Sequence, residues 1–265
     1  MMQREWRRLL LAVGFFTRIP VPNFPDFSEA ELNHAAKYFP LVGILVGLFA
    51  AAVFYVASPL LPHSLAVIMS MAASIYLTGA FHEDGLADSA DGLGGGWDSE
   101  RILTIMQDSR LGTYGAVALF LILFAKFQTL NTMHPFVISA ALICAHALSR
   151  LAAVWVMCCA SYVKFAGKSK PLATTLSTLE LVIANVFGLL PFVLVLTLLT
   201  LSNHAWQVVA LLVLMTSVPV LCVWWWWLAK IKRWIGGYTG DTLGAMQQLT
   251  ELMFYLGVLA WSLHV

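Results

Sequence analysis

Charge is scarce in this chain. Lys, Arg, Asp and Glu make up 11% of its residues and apolar residues 60%, whereas a soluble domain carries about 25% charged residues. That shortage excludes a soluble globular protein. The net charge is only +1, so there is no general field for a polyanion, and nucleic acid is not an expected partner. Cysteine is rare as well. Cys144, Cys158, Cys159 and Cys222 lie in apolar stretches without CxxC spacing, which reads as thiols packed between helices. No glycine-rich segment ends in the Lys-Ser/Thr of a P-loop. There is no evident internal repeat or low-complexity segment, so residues 1–265 read as one domain.

Apolar runs are what the chain has in abundance. A helix needs about 20 apolar residues to cross a bilayer. Seven stretches qualify, at 38–57, 64–80, 111–131, 134–160, 180–201, 205–228 and 245–263. The second is short, and the fourth is long enough to tilt. The run Leu9–Phe16 is too short to span; with Trp6, Arg7 and Arg8 before it, it predicts an interfacial helix and not a cleaved signal. The expected fold is therefore all-α: a polytopic bundle of about seven transmembrane helices with an N-terminal interfacial helix, its partner being the lipid bilayer. The linkers 58–63, 131–134 and 202–204 contain no Lys or Arg. Thirteen of the 15 basic residues fall in the N-terminal segment and the remaining linkers, among them Lys164, Lys168 and Lys170. By the positive-inside rule those linkers and the N-terminus face the cytoplasm, and the C-terminus faces out.

Against this background the segment FHEDGLADSADG, residues 81–92, stands out. Asp84, Asp88 and Asp91 are spaced i, i+4, i+7, which puts all three on one face of a helix. At an effective dielectric near 20, each carboxylate pair at about 4 Å costs roughly 4 kcal/mol. A bound cation relieves that repulsion, and Asp oxygens suit Mg²⁺ or Mn²⁺, which usually also hold a substrate phosphate oxygen. The competing reading is a solvated acidic helix end. Glu83 points roughly 100° away from Asp84 and is a weaker ligand candidate.

Four other groups of residues complete the candidate site. Gly94 and Gly95, in the run GLGGG, offer backbone that could approach a phosphate closely, or simply a flexible turn. In MQDSRLGTYG, residues 106–115, Asp108 is a further metal ligand and Arg110 a phosphate clamp or a membrane anchor. In GGYTGDTLGA, residues 236–245, Asp241 is the acid expected to face the triad, and it also fits the start of the last helix. Nearby, Lys230 and Lys232 read as contacts to an anionic substrate or to anionic lipid. Within the spans, Arg150 follows His146 by one turn and is a candidate substrate contact, whereas Lys126 lies towards the other side and reads as a snorkelling residue.

These motifs resemble those of the cobalamin synthase (adenosylcobinamide-GDP ribazoletransferase) family. The likeness runs through FFTRIPVP at 15–22, YFPLVG at 38–43, the acid motif at 81–92, MQDSRLGTYG at 106–115, Ser149-Arg150 and GGYTGDTLGA at 236–245. Two positions depart from the usual pattern: Glu83 replaces a Leu, and Gln107 replaces a basic residue. The resemblance implies a Mg²⁺-dependent transferase of the bacterial inner membrane. Its substrates would be adenosylcobinamide-GDP and α-ribazole or α-ribazole 5′-phosphate, and its products adenosylcobalamin or its 5′-phosphate, plus GMP. On that reading Asp84, Asp88, Asp91, Arg110 and Arg150 are catalytic; Asp84, Asp88, Asp91, Asp108 and Asp241 hold metal; and Asp88 or Asp91 accepts the hydroxyl proton. Rival readings are a CDP-alcohol phosphotransferase, a UbiA-like prenyltransferase and a cation transporter. The first normally carries an Ala-Arg pair after its first Asp-Gly, and here Leu86-Ala87-Asp88 follows Gly85. The oligomeric state, a homo-oligomer included, stays open.

Overall fold

A computed structural model describes residues 2–24, 29–163 and 176–264. Lys164, Lys168 and Lys170 lie outside them. The described residues form α1 (Met2–Phe16), α2 (Glu29–Ala35), α3 (Phe39–Ala57), α4 (His63–Thr78), α5 (Phe81–Gly95), α6 (Ser99–Met106), α7 (Thr113–Thr132), α8 (Pro135–Cys159), α9 (Thr178–Leu201), α10 (Trp206–Ile235) and α11 (Gly240–Ser262). Every one of the seven expected spans is helical, and the chain is a multi-pass membrane protein. Among the described residues, α7, α8, α9, α10 and the segment leading through α3 are each long and apolar enough to cross a bilayer alone.

The other two expected spans depart from a simple rod for physical reasons. α4 has only 16 residues, and α5 leaves it at an angle of 85°. The bend is made by two consecutive left-handed residues, Gly79 (φ 67°) and Ala80 (φ 59°). The alanine is the costlier of the two, since its Cβ crowds the following carbonyl. α5 therefore lies across one end of the bundle instead of continuing α4. α11 carries Gln247, Gln248 and Glu251 in its middle, and all three are buried. Surrounded by α5, α7, α8 and α10, its polar groups meet protein and not lipid.

α8 and α11 form the centre of the bundle, and α9 and α10 its lipid-facing rim. The most apolar stretch of α8 is 72% buried, whereas that of α10 is 11% buried. Close packing at the centre depends on absent side chains. A Cβ on Gly43 of α3 would fall 2.2 Å from the carbonyl oxygen of His146 on α8, and one on Gly47 2.7 Å from the Cα of Ile143. The thiols follow the same layering: Cys144 is buried, but Cys158, Cys159 and Cys222 are exposed on the outer surface. That corrects the expectation that all four are packed.

α1 is an amphipathic helix, as expected. Trp6 is exposed, while Arg7 pairs with Glu31 at 2.7 Å and Glu5 pairs with both Arg8 and Lys37 at 2.6 Å. Burial works to raise the Glu5 carboxyl, but Lys37, the Tyr38 hydroxyl and Arg8 together hold it down, to about 2. Its last residues, Phe15 and Phe16, pack on Phe39 and Phe81, which ties α1 to α3 and to the start of α5.

Replacing Gly43 by Ala is expected to destabilise the protein by about 1–3 kcal/mol, because the carbonyl it meets belongs to a helix that cannot give way. Gly95→Ala, whose nearest contact would be an ordinary 3.4 Å from a flexible Ile105 methyl, should be neutral or stabilising by up to about 1 kcal/mol. Melting of the two variants in detergent checks this; equal melting temperatures would contradict the packing.

Candidate active site

The site forms where α5 crosses the first turn of α11. α10 stops at Gly236, which takes φ 78°. The chain is then clipped to the segment after α8, with Tyr238 N–H donating to Ser161 O and Val163 N–H to Tyr238 O, each at 2.9 Å. Thr239 caps α11 through a reciprocal pair with Thr242, a capping box that satisfies two otherwise unpaired amides. Asp241 is thereby set in the first turn, ahead of the apolar stretch. α5 can lie directly on this turn because Gly85 has no side chain; a Cβ there would sit 2.8 Å from the Asp241 carbonyl oxygen. Gly244 makes the matching approach from α11, 3.2 Å from the carbonyl oxygen of His82 on the same measure.

This contact brings Asp84, Asp88 and Asp241 together. Asp84 is exposed, and Asp88 and Asp241 are half-buried. Burial, followed by the charges of Asp84, Asp241 and Asp91, pushes the Asp88 carboxyl up to about 7. Burial and Asp84 push Asp241 up to about 6. Among the described residues none of these three acids has an ion-pair partner. Nor does any group of three or more His, Cys, Asp or Glu side chains among them close to metal-ligand distance. The arrangement is an open, uncompensated set of carboxylates. That fits Mg²⁺, which typically takes one or two protein carboxylates and completes its shell with water and substrate phosphate.

Asp91 has a different job. It shares a face with Asp84 but lies about 10 Å further along the helix, where its two oxygens accept N–H bonds from Gly112 (2.8 Å) and Gly115 (2.9 Å). A carboxylate at these amides satisfies orphan donors of α7 and matches the positive end of its dipole. Asp108 and Arg110 are also apart from the acids. They pair with each other through Nε–Oδ1 at 3.0 Å and Nη2–Oδ2 at 2.6 Å, on the surface, which holds the Asp108 carboxyl down to about 2. Neither acts on the charge of Asp88 or Asp241. The expectation of a glycine-rich loop is corrected too: α5 runs helically through Gly94 and Gly95, and Gly94 faces the ring of Tyr114. Lys230 lies over the Trp226 ring at 5.3 Å and Lys232 is exposed at the end of α10.

Arg150 is buried behind the acids. Its Nη1 donates to His146 O at 3.0 Å, while its Nε has no hydrogen-bond partner. It lines a small cavity together with His82 and with Gly240 and Gly244 of α11. Lys126 does not snorkel. It is 4% exposed and forms a 2.9 Å ion pair with Glu251 inside the bundle. Glu251, Gln247 and Gln248 escaped the sequence reading, although the signal was there: an acid within the apolar stretch 245–263 calls for a buried partner.

Comparison with known proteins now decides the family. The profile of cobalamin-5-phosphate synthase matches residues 8–259. The chain belongs to the cobalamin-5-phosphate synthase family. An adenosylcobinamide-GDP ribazoletransferase of Ralstonia pickettii (strain 12J) is 44% identical over 263 residues, covering 98% of both chains. One from Shewanella amazonensis (strain ATCC BAA-1098 / SB2B) is 45% identical over 270 residues, again with 98% of each covered. One from Shewanella piezotolerans (strain WP3 / JCM 13877) is 43% identical over 262 residues and 96% of each. No solved structure matches. The family match spans α5, α7, α8 and the start of α11 alike, so the acid cluster, the Asp91 cap and Arg150 all fall within it.

Two results are expected. Asp91→Asn replaces one acceptor oxygen by a donor facing an amide, so it should cost about 1–3 kcal/mol of stability, whereas Asp84→Asn should leave melting unchanged or raise it. The second concerns pH. Asp88 and Asp241 bind protons more tightly folded than unfolded, so the fold is favoured while they are protonated and loses that advantage as pH rises through their raised values. Without divalent cation, the melting temperature should fall from about pH 5 to about pH 7.5, and Asp88→Asn should reduce the slope. A slope unchanged in that variant would contradict the cluster.

Proposed function

We propose that this chain completes the cobalamin nucleotide loop by transferring the adenosylcobinamide phosphoryl group of adenosylcobinamide-GDP to α-ribazole or its 5′-phosphate, releasing GMP. Family membership and the names of the close relatives support the reaction. The observation that carries the site assignment is the uncompensated trio Asp84, Asp88 and Asp241. These acids would hold Mg²⁺ beside the substrate diphosphate, and the ion would supply positive charge to offset what develops on the phosphoryl oxygens and the leaving group.

The chain's own residues do the rest. The ribose 3′-hydroxyl forms a new O–P bond at the phosphorus nearer the cobinamide as the P–O bond to GMP breaks. Asp88 takes the hydroxyl proton. Asp91 is the weaker choice for this role because both of its oxygens already accept backbone N–H bonds. Arg150, whose Nε is buried without a hydrogen-bond partner and which lines the cavity beside α11, draws a diphosphate oxygen inward and orients the donor. Arg110 acts at most at the rim, since its fork is closed on Asp108. The reaction side is the cytoplasmic face of the bacterial inner membrane. The basic linkers flank the acid helix at that end, and nucleotide substrates are found there.

GMP release by purified protein from adenosylcobinamide-GDP tests the assignment. Asp84→Asn, Asp88→Asn and Asp241→Asn should each lower turnover by about 100-fold or more, and chelation of divalent cations should abolish it. Near-normal turnover in all three variants, with normal membrane insertion, would sink the proposal.

A further inference from the structure

The interior of the bundle holds a knot of buried polar groups that the transfer reaction leaves unused. At its centre, Lys126 of α7 and Glu251 of α11 pair at 2.9 Å. Lys126 Nζ also donates to Gln248 Oε1 at 2.6 Å. Gln248 Nε2 in turn donates to Glu83 Oε1 at 2.9 Å. Ionised groups at this depth are costly and persist where they are paired. Here the pairing does more than neutralise charge, because its last member lies on the acid helix, one residue before Asp84.

The geometry gives the chain of bonds a consequence. Gly85 and Gly244 let α5 and α11 touch, and so set how closely they approach. Backbone contact between glycines is not directional, and it leaves α5 free to roll or slide. Gln248 lies one turn after Gly244 on the same face of α11, and its bond to Glu83 removes that freedom at the start of α5. Asp91 removes it at the far end through Gly112 and Gly115. Both anchors lead to α7, which carries Lys126 and the two glycine amides. Asp84 and Asp88 lie between the anchors, and among the described residues neither carboxylate has an ion-pair partner.

We propose that Glu83, Gln248 and Lys126 are positioning residues that fix the spacing of Asp84 and Asp88 against Asp241, and through it the affinity of the site for a divalent cation. The inference rests on the reading of those three acids as the cation–diphosphate site. Gln248→Met keeps the side-chain volume but cuts the link, while leaving the Lys126–Glu251 pair intact. Glu83→Leu cuts the link from the other side, and Glu83→Gln keeps an acceptor oxygen for Gln248.

The test is Mn²⁺ binding to purified protein without substrate, followed by electron paramagnetic resonance. Gln248→Met and Glu83→Leu should each weaken Mn²⁺ binding by about ten-fold or more, and Glu83→Gln should stay within about three-fold of the parent. The Mg²⁺ concentration for half-maximal GMP release should shift in step, with the KM for adenosylcobinamide-GDP at saturating Mg²⁺ changed less. Parent-like Mn²⁺ affinity in both cut variants, with binding lost in Asp84→Asn, would overturn the positioning role and leave the acid site standing. Parent-like affinity in Asp84→Asn and Asp241→Asn would remove the acid site and this inference with it. Should Gln248→Met fail to fold, the contrast between Glu83→Leu and Glu83→Gln decides.

Discussion

At Gly85 the acid helix rests on the backbone of Asp241 with no side chain between them, and the site depends on that contact. Carboxylates on separate helices act as one electrostatic unit only when the helices nearly touch, because their interaction falls with distance and is screened by water. The left-handed pair Gly79-Ala80 turns α5 out of line with α4. The Ser161–Tyr238–Val163 clip and the Thr239 cap deliver Asp241 to meet it. Each of these local devices, unremarkable alone, is needed for the two helices to arrive at one place.

The acid motif divides by role. Asp91 spends both oxygens on the start of α7 and Glu83 reaches inward to Gln248, whereas Asp84 and Asp88 are left facing Asp241. Burial, and then repulsion within the group, makes the ionised form of Asp88 and Asp241 unfavourable and pushes their carboxyls up, to about 7 and about 6. On the proposed function, a divalent cation bound with a diphosphate would relieve the repulsion. The open geometry leaves room for the substrate to supply part of the coordination shell.

Much of this was legible before the structure. Hydropathy located seven stretches that are all helical, five of which are long and apolar enough to cross a bilayer alone among the described residues, and the i, i+4, i+7 spacing marked the acid face. Other features depend on contacts between distant segments and had no local signature. Asp91 could be separated from Asp84 only by knowing that Gly112 and Gly115 return to it. The run GLGGG looked like a loop because glycine weakens isolated helices; tertiary packing overrides that preference, since Gly92 and Gly94 make space for Met106 and Tyr114. Arg110 carried the right chemistry for a phosphate clamp, but Asp108, two residues away, competes for it. Glu251 was the one omission with a sequence signal, an acid in an apolar span with Lys126 in another.

The central claim is that Asp84, Asp88 and Asp241, drawn from two helices, form a single cation–diphosphate site. An experimental structure with Mn²⁺ and a non-reactive GDP-bearing substrate analogue tests it most directly. The account predicts metal density between α5 and the first turn of α11, shared by these acids and the diphosphate, with Asp91 still bound to the amides of Gly112 and Gly115. Metal held instead at Asp108, or a diphosphate seated away from Asp241, would contradict it.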